Sequence, residues 1–547
     1  MARAILTDVL RERIMESSVF RINQAGYAAG FPVKAAVLAE GAVTLEDWEG
    51  NPVFRAENIR TQTDEASMDD VCLLDLGALP AGEYTLCCGN ERRKISVRDK
   101  AWREVCSALI KGFYYQRCGC ELKKEHAGIY AHAACHTGLA ADWEDRTVQC
   151  LVTGGWHDAG DYGKYIGPGA VAAAHLMYAW KLFPAGCGDD LNIPETGNGM
   201  PDILNETKYE LDWMLKMQRP NGAFHHKLTK DHFAGFIMPE EDRDPEYMMP
   251  ESHCATGAAC ACMALASRIY RPWNEGFANT ALLSARRAWA WLEKHDGDFT
   301  PFRNPEGVHT GQYGDWRDRD ERFWAACELF APTEEECFRK AAEDLYAEGQ
   351  QLTSFGWADV GGLGALCCLA DLREKAGPVL YEKLKKDFLA ASEAPLKTAS
   401  ESGYGTALGK DMYGWGSILP IMGNAAAMIL NVLLTGREDT RNAALNQLNY
   451  ALGMNTLDIC FITGFGEKRV MHPHHRPSAA DGIAEPVPGL ISGGPNKKWT
   501  YPATKERLGE DTPPARFFLD ETPSADTNEI AVYWNSIAVF VFAYFNN

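Results

Sequence analysis

Residues 154–165 read GGWHDAGDYGKY, which sets an imidazole, His157, directly before two carboxylates, Asp158 and Asp161, in a glycine- and aromatic-rich segment suited to neither helix nor strand. Two acids three residues apart in a tight turn can face one side, as polarising a water molecule requires. The same side chains can instead cap the turn and the helix expected near Gly167. Upstream, Cys118, Cys135 and His136 join His157 in the pattern C-x16-C-H-x20-H, the mix of thiolates and imidazoles that favours tetrahedral zinc. Cys120 competes with Cys118 for the first position, and with seventeen cysteines and fourteen histidines in the chain each residue singly can equally be a buried structural one.

Three further segments carry reactive groups. HPHHRPS (472–478) clusters His472, His474, His475 and Arg476, able to bond hydroxyls or a carboxylate, or to form an exposed basic loop. SADTNEIAVYWNS (524–536) puts Glu529 at the mouth of an apolar C-terminal helix, where burial can raise its pKa as a general acid needs, or where it simply complements the helix dipole. GQYGDWRDRDERFWAACELF (311–330) holds Asp315, Asp318, Asp320 and Glu321 ahead of a helix, donors suited to calcium but without EF-hand order.

Positioning such groups takes a scaffold. Up to about residue 100, short β-leaning runs such as FRINQAGY, KAAVLAE and GEYTLCCG alternate with turn residues, the pattern of a small β-sandwich. From about residue 104 the period becomes helical, and about a dozen amphipathic or wholly apolar stretches follow, joined by long Gly-, Pro- and Asp-rich loops. Twelve helices can pair into six hairpins closing as an α/α barrel, with the long loops gathered at one end. We therefore expect a mainly α protein: an immunoglobulin-like sandwich over residues 1–100 and an (α/α)6 barrel over 101–547.

Of the charged residues, 54 are Lys or Arg and 75 Asp or Glu, giving a net −21 that repels nucleic acid and anionic membranes. The first eighteen residues lack the apolar core of a secretory leader, no later segment is expected to reach membrane-spanning length free of charge, and seventeen cysteines suit a reducing compartment. A cytoplasmic monomer is expected, secreted only if a leader has been lost.

GGWHDAGDYGKY, HPHHRPS and TNEIAVYWNS, with YYQRCG (114–119), AHAACH (131–136), TGFGEKRVMHPHHR (463–476) and PVPGLISGGPN (486–496), resemble glycoside hydrolase family 9 from about residue 18 to the end. The resemblance implies an (α/α)6 cellulase with an immunoglobulin-like domain, hydrolysing β-1,4-glucosidic bonds of cellulose-type glucans or cello-oligosaccharides with inversion. It implies Asp161 as general base, Asp158 as its partner on the water, and Glu529 as general acid. It places sugar contacts on His474, Arg476 and His226, a structural zinc on Cys118, Cys135, His136 and His157, and calcium on Asp320, Glu321 and Asp359, with Trp316 departing from the small polar residue expected in that loop. Trp415 and Trp534 are expected as cleft walls, since sugar rings stack on aromatic faces. The alternatives are an exo-acting β-glucosidase or glucosaminidase of the same family, and a zinc-dependent hydrolase; a zinc with four protein ligands has no open position for the latter.

Overall fold

The computed structural model describes residues 18–547. The segment 1–17, on which the leader expectation rests and with which the expected first domain begins, lies outside the described residues.

Strands β1 (Phe20–Arg21), β2 (Tyr27–Ala28), β3 (Pro32–Val37), β4 (Gly41–Glu46), β5 (Pro52–Ile59), β6 (Gln62–Thr63), β7 (Asp70–Ala78), β8 (Gly82–Cys88) and β9 (Glu91–Arg98) form two sheets, ordered β1-β3-β7-β6 and β2-β9-β8-β4-β5. Alternation makes the sandwich: Val43 and Leu45 of β4, and Ile95 and Val97 of β9, point inward while their neighbours stay at the surface. Asp64 and Asp69, in the β6–β7 turn, lock the sandwich to the rest of the chain. Asp64 accepts from Gly403 N (2.9 Å), and Asp69 accepts from Thr456 Oγ1 (2.6 Å) and pairs with Arg516.

Beyond the sandwich, twelve helices of at least eleven residues follow among the described residues: α1 (Arg103–Tyr115), α2 (Ile166–Leu182), α3 (Asp202–Lys216), α4 (His253–Ile269), α5 (Glu275–Lys294), α6 (Arg319–Thr333), α7 (Glu336–Ala347), α8 (Gly361–Asp371), α9 (Gly377–Glu401), α10 (Ile418–Thr435), α11 (Glu438–Ala451) and α12 (Val532–Asn546). Helices α2, α4, α6 and α8 pack successively, α12 packs on α2 and α10, and α9 bridges α8 and α10; α1, α3, α5, α7 and α11 lie outside. The arrangement is the (α/α)6 barrel. Inner helices such as α2 and α12 are apolar all round because they are buried all round, whereas outer α5 and α7 keep one polar face.

Helix α10 corrects one expectation. Its eighteen residues carry no charge, so by length and composition it does reach membrane-spanning size. The reason for its composition is the barrel: it packs on α9, α11 and α12, and 61% of it is buried within the molecule.

The loops also hold a sheet that helical periodicity gave no reason to expect: β10 (Ala140–Asp142), β11 (Gln149–Cys150), β12 (Lys164–Tyr165), β13 (Lys227–Thr229) and β14 (Tyr247–Met248), in the order β11-β10-β14-β13-β12.

Candidate active site

The DAGD turn closes on itself and is tied to the start of α12. Asp158 N donates to Gly163 O (2.9 Å), and Asp158 O accepts from Val532 N (2.8 Å). Ala159 bridges Ala531, and His474 bridges Glu529. Gly160 makes this proximity possible. A Cβ there would stand 1.9 Å from the His474 carbonyl oxygen, and the Gly160 carbonyl accepts from Arg476 Nη1 (2.7 Å).

Three carboxyl groups converge in consequence, each in a different setting. Asp161 Oδ2 accepts from Gly163 N (3.0 Å) and Tyr165 Oη (3.3 Å). Burial raises its pKa, while the Arg476 guanidinium and the Gly163 amide hold the rise back. Asp158 is raised well above the usual carboxylate range, by burial and then by the Asp161 charge, although the Tyr313 hydroxyl donates to its Oδ2 at 2.5 Å. Glu529 is pushed up to about 8, by burial first and Asp161 second, against the Trp415 indole N–H that donates to its Oε2 at 3.0 Å. Near pH 7 Glu529, and Asp158 behind it, are thus poised to keep a proton, and of the three carboxyl groups Asp161 is the best supported as an anion.

Asp161 and Glu529 face a cleft of about 650 Å³, within the range that holds small ligands, while Asp158 lies just behind. The cleft walls are aromatic: Trp415, Trp499, Tyr501 and Phe233 are exposed on it, and Trp357 and Tyr313 pack beneath at 4.9 Å. A larger groove between the sandwich and helices α9 and α11 carries neither these acids nor an aromatic wall.

Of the expected sugar contacts, His474, Arg476 and Trp415 line the cleft. His474 Nδ1 is bonded to Thr522 O (2.7 Å), which leaves Nε2 as the open ring nitrogen. His226 is elsewhere. Both its nitrogens are occupied, by Ser252 Oγ (2.8 Å) and Gln312 O (2.9 Å), and its ring stacks on Phe302 at 3.7 Å. Trp534 is also displaced from expectation: it is buried against Gly493 and Gly416. Glu529 sits in an extended link, three residues before α12 begins, rather than in its first turn. Asp161 caps no helix, since Tyr165 is the N-cap of α2. Sequence reasoning passed over Tyr313, in GQYG, along with the wall residues Trp499, Tyr501, Phe233 and Trp357.

Cys118, Cys135, His136 and His157 bring their donor atoms within 4.8 Å of one another, with Cys118 Sγ to His136 Nδ1 at 3.6 Å and Cys135 Sγ to His157 Nε2 at 4.0 Å. Edges of about 3.5 Å are what a tetrahedron of zinc ligands requires. Outer contacts complete the fit: Asp242 bonds His136 Nε2 (3.2 Å), and Lys164 Nζ reaches Cys118 Sγ (3.3 Å). Cys120 stands outside the group.

The acidic cluster is composed differently from expectation. Asp315 Oδ2, Asp320 Oδ1 and Glu321 Oε2 are buried without a hydrogen-bond partner, a set of hard oxygen donors that fits a cation. Arg317 pairs with both Asp359 Oδ2 (2.9 Å) and Asp320 Oδ1 (3.4 Å), and the Cys254 thiol lies beside Asp315 and Glu321. Crowding and burial raise Asp315 to about 7 and Asp320 to about 6. Trp316 projects into solvent.

Residues 102–542 match the model of glycosyl hydrolase family 9, and residues 15–93 that of the cellulase N-terminal ig-like domain. The chain is 35% identical to a cellodextrinase of Butyrivibrio fibrisolvens over 95% of this chain and 98% of the relative, and 30% identical to endoglucanase D of Acetivibrio thermocellus over 99% and 86%. It superposes on a thermostable endoglucanase of Alicyclobacillus acidocaldarius with a TM-score of 0.91 at 33% identity, covering 97% of this chain and all of that one. A family 9 structure in complex with cellobiose-like isofagomine gives 0.91 at 34%, covering 96% and 99%, and a Zn-binding triple mutant of a family 9 endoglucanase gives 0.90 at 30%, covering 95% and 99%.

Proposed function

We propose, on the premise that the chain belongs to glycosyl hydrolase family 9, that it hydrolyses β-1,4-glucosidic bonds of cello-oligosaccharides with inversion, using Asp161 as base and Glu529 as acid. The observation that carries this reading is the setting of the two acids on one cleft: Glu529 is pushed up to about 8, while Asp161 accepts from an amide and a phenol beside a guanidinium, which hold back the rise that burial gives it. Inversion needs the two groups on opposite faces of the sugar, roughly 6.5–9.5 Å apart, with a water on the base side.

In the reaction a water between Asp161 and the anomeric carbon gives its proton to Asp161 as its oxygen bonds to that carbon. The bond from the carbon to the leaving oxygen breaks, and that oxygen takes the Glu529 proton. Exchange with solvent resets both groups. Asp158, steadied by Tyr313, orients the water. The aromatic walls take the apolar faces of the glucose rings, and His474 and Arg476 take hydroxyls.

Cys118, Cys135, His136 and His157 would hold a structural zinc, and Asp315 and Glu321, whose buried oxygens lack partners, a hard cation such as calcium. A zinc so held stiffens the segment leading into Asp158, and four protein donors leave it no open position for chemistry. All seventeen cysteines lack a disulfide partner, which supports a reducing, cytoplasmic setting in which short imported oligosaccharides are the substrates.

Proton NMR of cellotetraose cleavage tests the reaction: the α-anomer should appear first, and chitotetraose should stay intact. Asp161→Asn and Glu529→Gln should each abolish turnover with the fold retained. A β-anomer product, or near-normal rates in either variant, would overturn the assignment.

A further inference from the structure

We propose that Lys227 is a positioning residue for this hydrolysis, clamping the 304–313 loop so that the Tyr313 hydroxyl stays on Asp158. The inference rests on the reaction proposed above and concerns a side chain that never reaches the cleft.

Lys227 is wholly buried on β13, in the loop sheet beside the barrel mouth. Its Nζ donates to Asn304 Oδ1 (2.8 Å), Thr310 Oγ1 (2.9 Å) and Gly311 O (2.6 Å), so every hydrogen of the ammonium has an acceptor, and all three acceptors belong to one loop. The preceding residue, His226, grips that loop a second time through Gln312 O and through its stack on Phe302. The loop's next residue is Tyr313.

Tyr313 needs such a grip. Its φ is 45°, the left-handed region that a tyrosine adopts at a cost and keeps only where its surroundings over-determine it. The strained backbone turns the phenol between Tyr165, at 4.6 Å, and Trp357, and delivers its hydroxyl to Asp158. Tyr165 in turn donates to Asp161, and Lys227 Nζ lies 5.5 Å from the Tyr165 ring. The buried Lys227 amine thus anchors the loop that presents the Tyr313 hydroxyl to Asp158.

The test is a double-mutant cycle on cellotetraose hydrolysis, with wild-type, Lys227→Met, Tyr313→Phe and the double variant, the fold being checked by thermal melting. We expect Lys227→Met to lower kcat about 100-fold, the scale of a roughly 1 Å misplacement near reacting atoms, with KM changed by less than about threefold. In the Tyr313→Phe background the same substitution should cost almost nothing, because the group it positions is gone. An equal fold-loss in both backgrounds would overturn the proposal, as would a loss carried by KM. Should Lys227→Met fail to fold, Asn304→Ala removes one acceptor from outside the cleft and must show the same dependence on Tyr313, at a loss of about three- to tenfold. A wild-type enzyme inactive on cellotetraose would refute the proposed reaction, an outcome distinct from additivity in the cycle.

Discussion

Trp415→Phe separates the electrostatic role of Trp415 from its role as a wall. The indole N–H donates to Glu529 Oε2 at 3.0 Å, so it stabilises the anion and pulls the Glu529 pKa down from where burial and Asp161 would put it. A hydrogen bond to a charged acceptor is worth roughly 1.5–3 kcal/mol and one to a neutral acceptor about 0.5–1.5, so the indole prefers the ionised acid by roughly 1–1.5 kcal/mol. At about 1.36 kcal/mol per pH unit that is close to one unit, and about 0.5–1 after allowing for water that enters from the open cleft. Phenylalanine keeps a flat apolar face toward Tyr501, whose ring lies 5.5 Å away, so substrate packing survives. The assay is kcat/KM for cellotetraose from pH 4 to pH 10, which reports the ionisations of the free enzyme. The alkaline limb should move upward from about 8 by that amount, while the acidic limb, set by Asp161, stays. An alkaline limb that stays or moves down would refute the assignment of Glu529 as acid, and movement of the acidic limb instead would mean that Trp415 acts on a different group.

Gly160→Ala should cost activity far more than its size suggests, about 100-fold in kcat, because its Cβ must push the 158–161 segment away from His474 and with it the base from the acid; steady-state rates near wild-type would show that the contact yields freely. Trp534→Ala should lower stability by about 3–5 kcal/mol through the cavity it leaves under Gly416 and Gly493, with KM little changed; denaturant unfolding and kinetics on the same preparation distinguish this from a cleft wall. His157→Ala, or prolonged chelation, should lower the melting temperature and kcat together, and elemental analysis should return one zinc per chain; a chelated protein with unchanged melting and rate would remove the metal clip.

The elements were legible because their physics is local: alternation marks the sandwich strands, and apolar all-round segments mark inner barrel helices. Side-chain direction was not. His226 and Trp534 both stand next to residues that matter, and neither lines the cleft, His226 because its two nitrogens tie the Gln312 loop to Ser252, Trp534 because its ring packs on Gly416 and Gly493. The acidic cluster illustrates the same limit for charge: Arg317 pairs with both Asp320 and Asp359, while the Cys254 thiol, from α4, joins Asp315 and Glu321. Tyr313 was invisible for another reason, since nothing in a sequence marks a non-glycine residue as left-handed when its grip comes from a strand some 85 residues upstream.

The residues proposed as zinc ligands, base, sugar contacts and acid come from segments separated by up to four hundred residues, yet no shared helix holds them. They are held by backbone pairing among short extended pieces: 158–161 against 531–532, 474 against 529, and 492–493 against 529–530. A spacing set by backbone bonds is far less adjustable than one set by flexible side chains, which suits two carboxyl groups whose separation decides the stereochemistry. The pairing also explains why His157 and Asp158 are adjacent. The peptide N–H of His157 is bonded to Gln116 O (2.7 Å), and its ring to the thiol cluster, so the chain enters the catalytic turn already fixed in direction; one residue later its carbonyl partner is α12.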